Sequence, residues 1–218
     1  MKTSLLLLAI IFSVNVFSQK QINEGMLSYT ISIETVKGEK QLGSASNGAV
    51  LNLFITKDKS RTEMTSKLGV ETTVFDNKAG KGFILKEYSG QKLMITTNAD
   101  NWSQKNQIIS NLAFTVSDET TMVAGFNCKK ATATSADGKT YIVYYDPTVK
   151  ISNKTYNNAF PQIEGMPVQY EIQLGNLIFK YTLTKYNTDV LPTTKFDAPK
   201  VGFRTMTYEE NQQLKKGV

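Results

Sequence analysis

The stretch of residues 170–183 reads YEIQLGNLIFKYTL, with an alternating run on each side of a Gly-Asn pair. Its apolar members recur at every second position within each run: Tyr170, Ile172, Leu174, Leu177, Phe179, Tyr181 and Leu183. Alternation with a period of two is typical of a β-strand that buries one face, and a Gly-Asn pair between two such runs favours a tight turn. The stretch therefore predicts an antiparallel hairpin.

The same alternation recurs along the chain from Gly25 onward, in short runs separated by Gly, Asn and Asp. It predicts strands at residues 27–33, 51–55, 60–66, 70–75, 83–86 and 93–97. Asp137-Gly138 predicts a second two-residue hairpin, because both central residues of a type I′ turn need positive φ. The pattern as a whole indicates a mainly β chain with an antiparallel sheet.

Helical signals are few. Residues 100–112 carry a weak amphipathic period that predicts a helix with Asp100 or Asn101 as its cap. Thr207 and Glu210 have the spacing of a capping box, in which each side chain accepts a hydrogen bond from the other residue's backbone amide. A short helix is therefore expected near the C-terminus.

A strand with two apolar faces needs a cover on each face. Residues 141–145 read YIVYY, apolar or aromatic at every position, which indicates such a strand. All five prolines lie in the last third of the chain, and the segment 146–166 is expected to be a long ordered loop. The helix at residues 100–112 and this loop either fill the space over the strand, or fill it in part and leave an apolar groove.

The first 18 residues predict a secretory signal peptide. Lys2 precedes an apolar run of about ten residues, too short for a bilayer core that needs ~20, and a cleavage site follows Ser18. We expect a signal peptide at residues 1–18 and a single domain at residues 19–218. The mature chain is expected in the periplasm or secreted, and not as an integral membrane protein.

Composition excludes most common catalytic sites. The chain has no histidine, which removes Ser-His-Asp and Cys-His nucleophiles and histidine-based metal sites. The formal net charge is +6, with lysines scattered rather than clustered, so no nucleic-acid partner is expected. No glycine-rich phosphate loop or metal-binding motif is visible, and we expect no cofactor and no metal.

Cys128 is the only cysteine, which rules out an internal disulfide. The neighbouring Lys129 and Lys130 would lower the pKa of a reactive thiol at this position. The alternative is a small buried hydrophobic side chain on a strand.

Several sequence elements, in this order, resemble a known family. They are KSRTEM at 59–64, TVFD at 73–76, VAGFNCKKA at 123–131, YYD at 144–146 and GMPVQYE at 165–171. Over residues 25–188 the chain is similar to the exported bacterial family called domain of unknown function 4412 and, more distantly, to the GLPGLI family. The tripeptide Gly165-Met166-Pro167 matches the Gly-Leu-Pro element that names the second family. The sequence from Val168 onward departs from that name.

The resemblance implies a fold like that of the lipoprotein carriers LolA and LolB of the Gram-negative periplasm. Such a fold is a strongly curved antiparallel sheet, an open half-barrel, with a few short helices over its concave face. It would span residues 19–218 and hold acyl chains between sheet and helices. These families have no assigned activity, so the resemblance supplies no catalytic residue.

The leading hypothesis is a non-enzymatic protein that binds an apolar ligand, such as a lipid or lipoprotein acyl chain, in the half-barrel groove. Alternation selects these candidate lining residues: Leu53, Ile55, Phe83, Leu85, Tyr170, Ile172, Phe179 and Tyr181. The alternative is a cell-envelope module that docks another protein through a sheet edge or the loop of residues 146–166. It predicts an exposed apolar patch around Phe160, Ile163 and Met166. A hydrolase with scattered carboxylates is the third hypothesis.

Overall fold

A computed structural model of the chain describes residues 20–41, 43–156 and 160–216, and not the side chains of residues 108–110. The predicted signal peptide lies outside the described residues. The strands are β1 (Lys20–Ile22), β2 (Gly25–Thr35), β3 (Val50–Ile55), β4 (Lys59–Ser66), β5 (Gly69–Asp76), β6 (Lys81–Tyr88), β7 (Gln91–Asn98), β8 (Thr115–Val123), β9 (Phe126–Thr134), β10 (Thr140–Asp146), β11 (Val149–Ile151), β12 (Met166–Leu174), β13 (Leu177–Asn187) and β14 (Arg204–Thr207). The helices are α1 (Ala99–Ser110), α2 (Tyr208–Lys216) and one 3₁₀ helix (Thr193–Phe196).

One large sheet contains 12 of these strands, in the order β14-β7-β6-β5-β4-β3-β2-β13-β12-β10-β9-β8. Its neighbours run antiparallel, except that β14 pairs in parallel with β7. The two outermost strands do not pair with each other, so the sheet is open. β1 and β11 form a separate parallel pair. The predicted fold class, a mainly β chain on an open, curved antiparallel sheet with few helices, is confirmed.

The first predicted hairpin is confirmed and the second has a different turn. Gly175 and Asn176 join β12 to β13, and the positive φ of 62° at Gly175 alone fits a type II′ turn. At the second site Gly138 has a φ of 80° but Asp137 keeps a negative φ, so the predicted type I′ turn is wrong. Instead a longer loop connects β9 to β10, and the Ser135 amide donates to the Lys139 carbonyl at 2.9 Å.

The large sheet has two distinct faces. Residues directly opposite each other in an antiparallel pair point to the same face. Leu27 lies opposite Leu53, and Tyr29 lies opposite Leu51, on what we call the inner face. The C-terminal segment crosses the other, outer face, where Phe196 of the 3₁₀ helix is buried against an outer-face cluster.

One end of the inner face is filled. At this closed end, where β2 and β12 begin, side chains from residues 146–156 and 160–166 and from β1 pack on the sheet. The buried cluster includes Ile22, Leu27, Tyr29, Leu53, Ile55, Val149, Ile151, Tyr156, Phe160, Ile163, Met166 and Tyr170. Part of the predicted loop is the strand β11, paired in parallel with β1. The expected exposed patch at Phe160, Ile163 and Met166 is wrong, because these side chains are at most 5% exposed.

Both α-helices lie over the inner face. The Trp102 ring of α1 stacks on Phe75 with 4.5 Å between ring centroids. The cap of α1 is Asn98 rather than the expected Asp100 or Asn101, because Asn98 and Asn101 each accept the other's backbone amide. The capping box that precedes α2 is confirmed by reciprocal hydrogen bonds of 3.1 and 2.7 Å. Tyr208 of α2 packs with buried side chains of β6 and β7.

Candidate ligand-binding site

Three of the eight predicted lining residues belong to the closed end. Leu53, Ile55 and Tyr170 are at most 5% exposed and contact the loop that fills this end. They share the inner face, as alternation predicts, but protein already covers them. Their side chains therefore form the wall behind any open site rather than its surface.

Two more predicted residues lie on the outer face. Phe83 and Leu85 pack with Val74 and Phe196 under the C-terminal segment. Their neighbour Ile84 points inward and packs with Ile95. Alternation places Phe83 and Leu85 together correctly, but the structure assigns them to the face opposite the other six.

The remaining three predicted residues lie together at the open end of the inner face. Ile172 on β12 and Phe179 on β13 are directly opposite each other, and Tyr181 lies two residues further along β13. All three are half-buried. Two half-buried side chains of β3 and β4 extend this surface. We call the whole set the inner-face patch: Leu51, Met64, Ile172, Phe179 and Tyr181.

Two members of the patch are missing from the residues selected by sequence. Leu51 continues the alternation of Leu53 and Ile55, so the period contained its signal. Met64 lies on a strand that is otherwise polar, where alternation gives no apolar face. Its place opposite Leu51 follows from strand pairing alone.

Stacked aromatic rings separate the patch from the closed end. The rings of Tyr170 and Tyr181 stack with centroids 4.6 Å apart, and Phe160 packs edge-on against Tyr170 at 5.1 Å. The Tyr29 hydroxyl donates to the Pro167 carbonyl at 2.8 Å. Desolvation raises the pKa values of Tyr29 and Tyr170 well above the usual value, so both phenols stay neutral. This wall is apolar toward the patch.

Two pockets flank α1. One, of about 550 Å³, lies between α1 and α2 and is lined by Gln104, Lys105, Tyr208, Glu209, Gln212, Gln213 and Lys216. The other, of about 570 Å³, lies at the C-terminal end of α1 and is lined mainly by residues 111–113 and 134–137. Leu112 of the second pocket packs in a cluster with Ile172 of the patch. Open volume therefore adjoins the patch.

Charged side chains lie on the inner face beside the patch. Lys86 Nζ is 3.9 Å from Glu71 Oε2, and the Tyr88 hydroxyl donates to the same oxygen at 3.2 Å. Lys105 of α1 has its Nζ 5.8 Å from the centroid of the Trp102 ring. The Lys105 side chain is exposed to water, but the protein atoms around it partly desolvate its ammonium group. This desolvation lowers the pKa of Lys105, while the nearby Glu71 carboxylate raises it.

Cys128 has the environment of a structural side chain. It is buried in the closed-end cluster, and desolvation together with Asp146 raises the pKa of its thiol to about 11. A thiolate nucleophile needs a lowered pKa. The geometry therefore supports the buried-hydrophobe interpretation over the reactive-thiol one.

The described residues offer no metal site: no three His, Cys, Asp or Glu side chains among them converge. Partly buried carboxylates instead pair with cations, as Glu63 does with Arg61 at 2.5 Å and with Lys195 at 3.0 Å. Within residues 20–41, 43–156 and 160–216, none of the helices has the length and apolar character needed to cross a membrane.

Solved structures of other proteins match the chain at low sequence identity. A conserved protein from Thermus thermophilus matches with a TM-score of 0.52 and 8% identity, over 84% of this chain and 90% of that one. PNGF-II matches with a TM-score of 0.47 and 14% identity, over 87% of this chain. A LolA superfamily protein from Nitrosomonas europaea matches with a TM-score of 0.36 and 7% identity, over 81% of this chain and 91% of that one.

The chain spans about a third of the length of the PNGF-II structures, 32% of one and 33% of the other. No protein family and no curated protein matches the chain. Membership of the family called domain of unknown function 4412 is therefore not confirmed. The Thermus thermophilus match shows a shared fold and nothing about activity.

Proposed function

We propose that this chain is an exported, non-enzymatic protein that binds an apolar ligand, such as a lipid or lipoprotein acyl chain, at the open end of the inner face. The observation that carries the proposal is the inner-face patch. Its five apolar side chains stay half-buried although they share a face with a fully packed core. A ligand would complete the cover that the loop provides only at the closed end.

The expected binding energy comes from burial of apolar surface. Burying apolar area contributes roughly 25 cal/mol per Å², before the cost of ordering the ligand. Such contacts discriminate weakly between acyl chains of different length. Tyr181 and Phe179 would provide most of the contact area, because aromatic rings are the largest apolar side chains of the patch.

Export and the absence of catalysis are also part of the proposal. Among the described residues, β1 begins at Lys20, and the predicted cleavage site follows Ser18. The lack of histidine removes the usual general base. Partly buried carboxylates such as Glu63 and Glu71 are held by ion pairs or hydrogen bonds, which suits a structural role.

Native mass spectrometry with organic extraction tests the proposal. The mature chain is purified without detergent from the periplasm of its own host. A co-purifying mass that extracts as a lipid is expected. The proposal would be overturned if the wild-type protein carried no lipid as purified and still bound none after incubation with fatty acids.

A pair of variants locates the ligand on the inner face. Met64→Glu places a carboxylate in the patch and is expected to lower lipid occupancy about tenfold, since burying an unpaired charge is costly. Thr65→Glu adds the same charge to the exposed outer face of the same strand and is the control. Equal lipid occupancy in both variants would move the site away from the patch.

A docking module without a small-molecule ligand is the second candidate. It rests on β8, an edge strand on which Val116 and Met122 are 44% and 67% exposed. An accessible edge can add a strand from a partner protein. The same mass spectra distinguish the two candidates, because a polypeptide partner would appear as a larger complex that dissociates into two chains.

A further inference from the structure

The mouth of the site, between α1, α2 and β6, carries an excess of positive charge. Four lysines surround it: Lys86, Lys105, Lys215 and Lys216. The carboxylates that face them from the described elements are Glu71 on β5 and Glu209 on α2. The group therefore has a formal net charge of +2 at neutral pH.

Both of these carboxylates already have partners. Glu71 accepts the Tyr88 hydroxyl at 3.2 Å and lies 3.9 Å from Lys86. Glu209 accepts a hydrogen bond from the side-chain amide of Asn101 at 2.7 Å. Among the described residues, Lys105 has no carboxylate within 4.0 Å, and its electrostatic neighbours are Glu71 and two further lysines.

This charged mouth is continuous with the inner-face patch. Strand pairing places Lys86, Glu71, Met64 and Leu51 directly opposite one another on four successive strands, β6 to β3. Three strand spacings separate the first from the last, about 14 Å. A pocket of about 550 Å³ adjoins the charged end.

We infer that the ligand of this site is an anionic amphiphile, with its acidic head at Lys86 and Lys105 and its acyl chain on the inner-face patch. The inference rests on the proposed function and specifies the ligand class. Charge-assisted hydrogen bonds from lysine to a carboxylate or phosphate are stronger than neutral ones. An anion at Lys105 would also neutralise the repulsion among the lysines, which lack enough carboxylates of their own.

Matched amphiphiles test the inference. Oleate and methyl oleate have the same chain and differ in the charge of the head. Binding of each to the mature chain is measured below the micellar concentration by displacement of a fluorescent acyl probe. Oleate is expected to bind about tenfold more tightly than methyl oleate, the size of effect for a hydrogen bond to a charged group.

A double variant and a control assign the effect to these residues. Lys86→Gln with Lys105→Gln is expected to remove the preference, because the affinity for oleate falls about tenfold, to the level of methyl oleate. Lys185→Gln, on an exposed outer position of β13, is expected to keep the preference. Thermal unfolding of each variant checks that the fold is intact.

The outcomes separate the inference from the proposed function. Equal binding of the two probes to wild type would overturn the inference and leave an apolar-ligand site. Binding of neither would overturn both. Lysophosphatidylglycerol then distinguishes the two sources of an acidic head, with lysophosphatidylcholine, which has no net charge, as its control. Tighter binding of lysophosphatidylglycerol than of oleate assigns a lipid headgroup. The reverse assigns a free fatty acid.

Discussion

Gly82 lies where two strands and an aromatic ring approach closely on the inner face. A Cβ at this position would lie 2.3 Å from the Val74 carbonyl oxygen and 2.7 Å from Cδ2 of Phe75. The Phe75 ring thus rests on the bare backbone of Gly82, and Trp102 of α1 stacks on the other side of that ring. The absence of a side chain at residue 82 sets how close α1 comes to the sheet.

Gly82→Ala is expected to destabilise the protein by about 1–3 kcal/mol, the usual cost of overpacking a core. The clash is with backbone, which cannot rotate away as a flexible side chain can. Chemical denaturation measures the free energy of unfolding. Gly43→Ala is the control, because a Cβ there meets open space and the backbone is not left-handed. Equal stability of the two variants would contradict this account of the α1 contact.

At the scale of elements, the segment of residues 146–156 and 160–166 covers the sheet at the closed end. Asn153 holds it in place from a buried position. Its amide nitrogen donates to the carbonyls of Thr56 and Lys59 at 3.0 and 3.3 Å, and its oxygen accepts the side-chain amide of Asn77 at 3.1 Å. One side chain therefore ties the segment to the turns at the ends of β3 and β5.

Asn153→Ala should cost about 1–3 kcal/mol and loosen this segment. The Thr56 carbonyl, the Asn77 side-chain amide and the Thr155 backbone amide each lose a hydrogen-bond partner, while the Lys59 carbonyl keeps the Thr56 amide. Limited proteolysis should cut the variant within residues 152–165 at protease levels that leave the wild type intact. Asn176→Ala, in the exposed turn between β12 and β13, should behave like wild type. Protection of the segment in both variants would show that apolar packing alone holds it.

At the scale of the whole molecule, one end of the sheet is stabilised by buried phenols. The chain has 10 tyrosines, and Tyr29, Tyr156 and Tyr170 are buried in the closed-end cluster. Desolvation raises the pKa of each above its usual value near 10. The folded chain therefore keeps these protons at pH values where the unfolded chain releases them.

Stability should fall as the pH rises above about 10, because unfolding then releases protons. The raised thiol pKa of Cys128, about 11, acts in the same direction from about pH 9. Urea unfolding at a series of alkaline pH values gives the slope, and tyrosinate absorbance reports the phenols. At least three phenols should ionise only when the protein unfolds, and Tyr156→Phe should reduce that number by one. Titration of all ten phenols in a folded chain would refute this.

Strand positions were predictable from sequence because alternation is a local property of the chain. Each run from Gly25 to Asn98 forms a strand close to its expected bounds, and the 170–183 hairpin forms as predicted. The pair β1 and β11 was not predictable, because each strand has three residues and its partner lies more than a hundred positions away. The cap of α1 was misplaced because several Asn and Asp residues compete for that role over residues 98–101.

The sequence by itself determined a mainly β chain with antiparallel pairing and the grouping of side chains by face, since both follow from a period of two along each strand and from the turn signals between strands. Only the tertiary structure decided which face is covered and by what. Leu53, Phe83 and Phe179 look alike in sequence, yet the loop covers the first, the C-terminal segment covers the second, and the third stays half-buried. Cover depends on contacts between distant segments, which no local pattern contains.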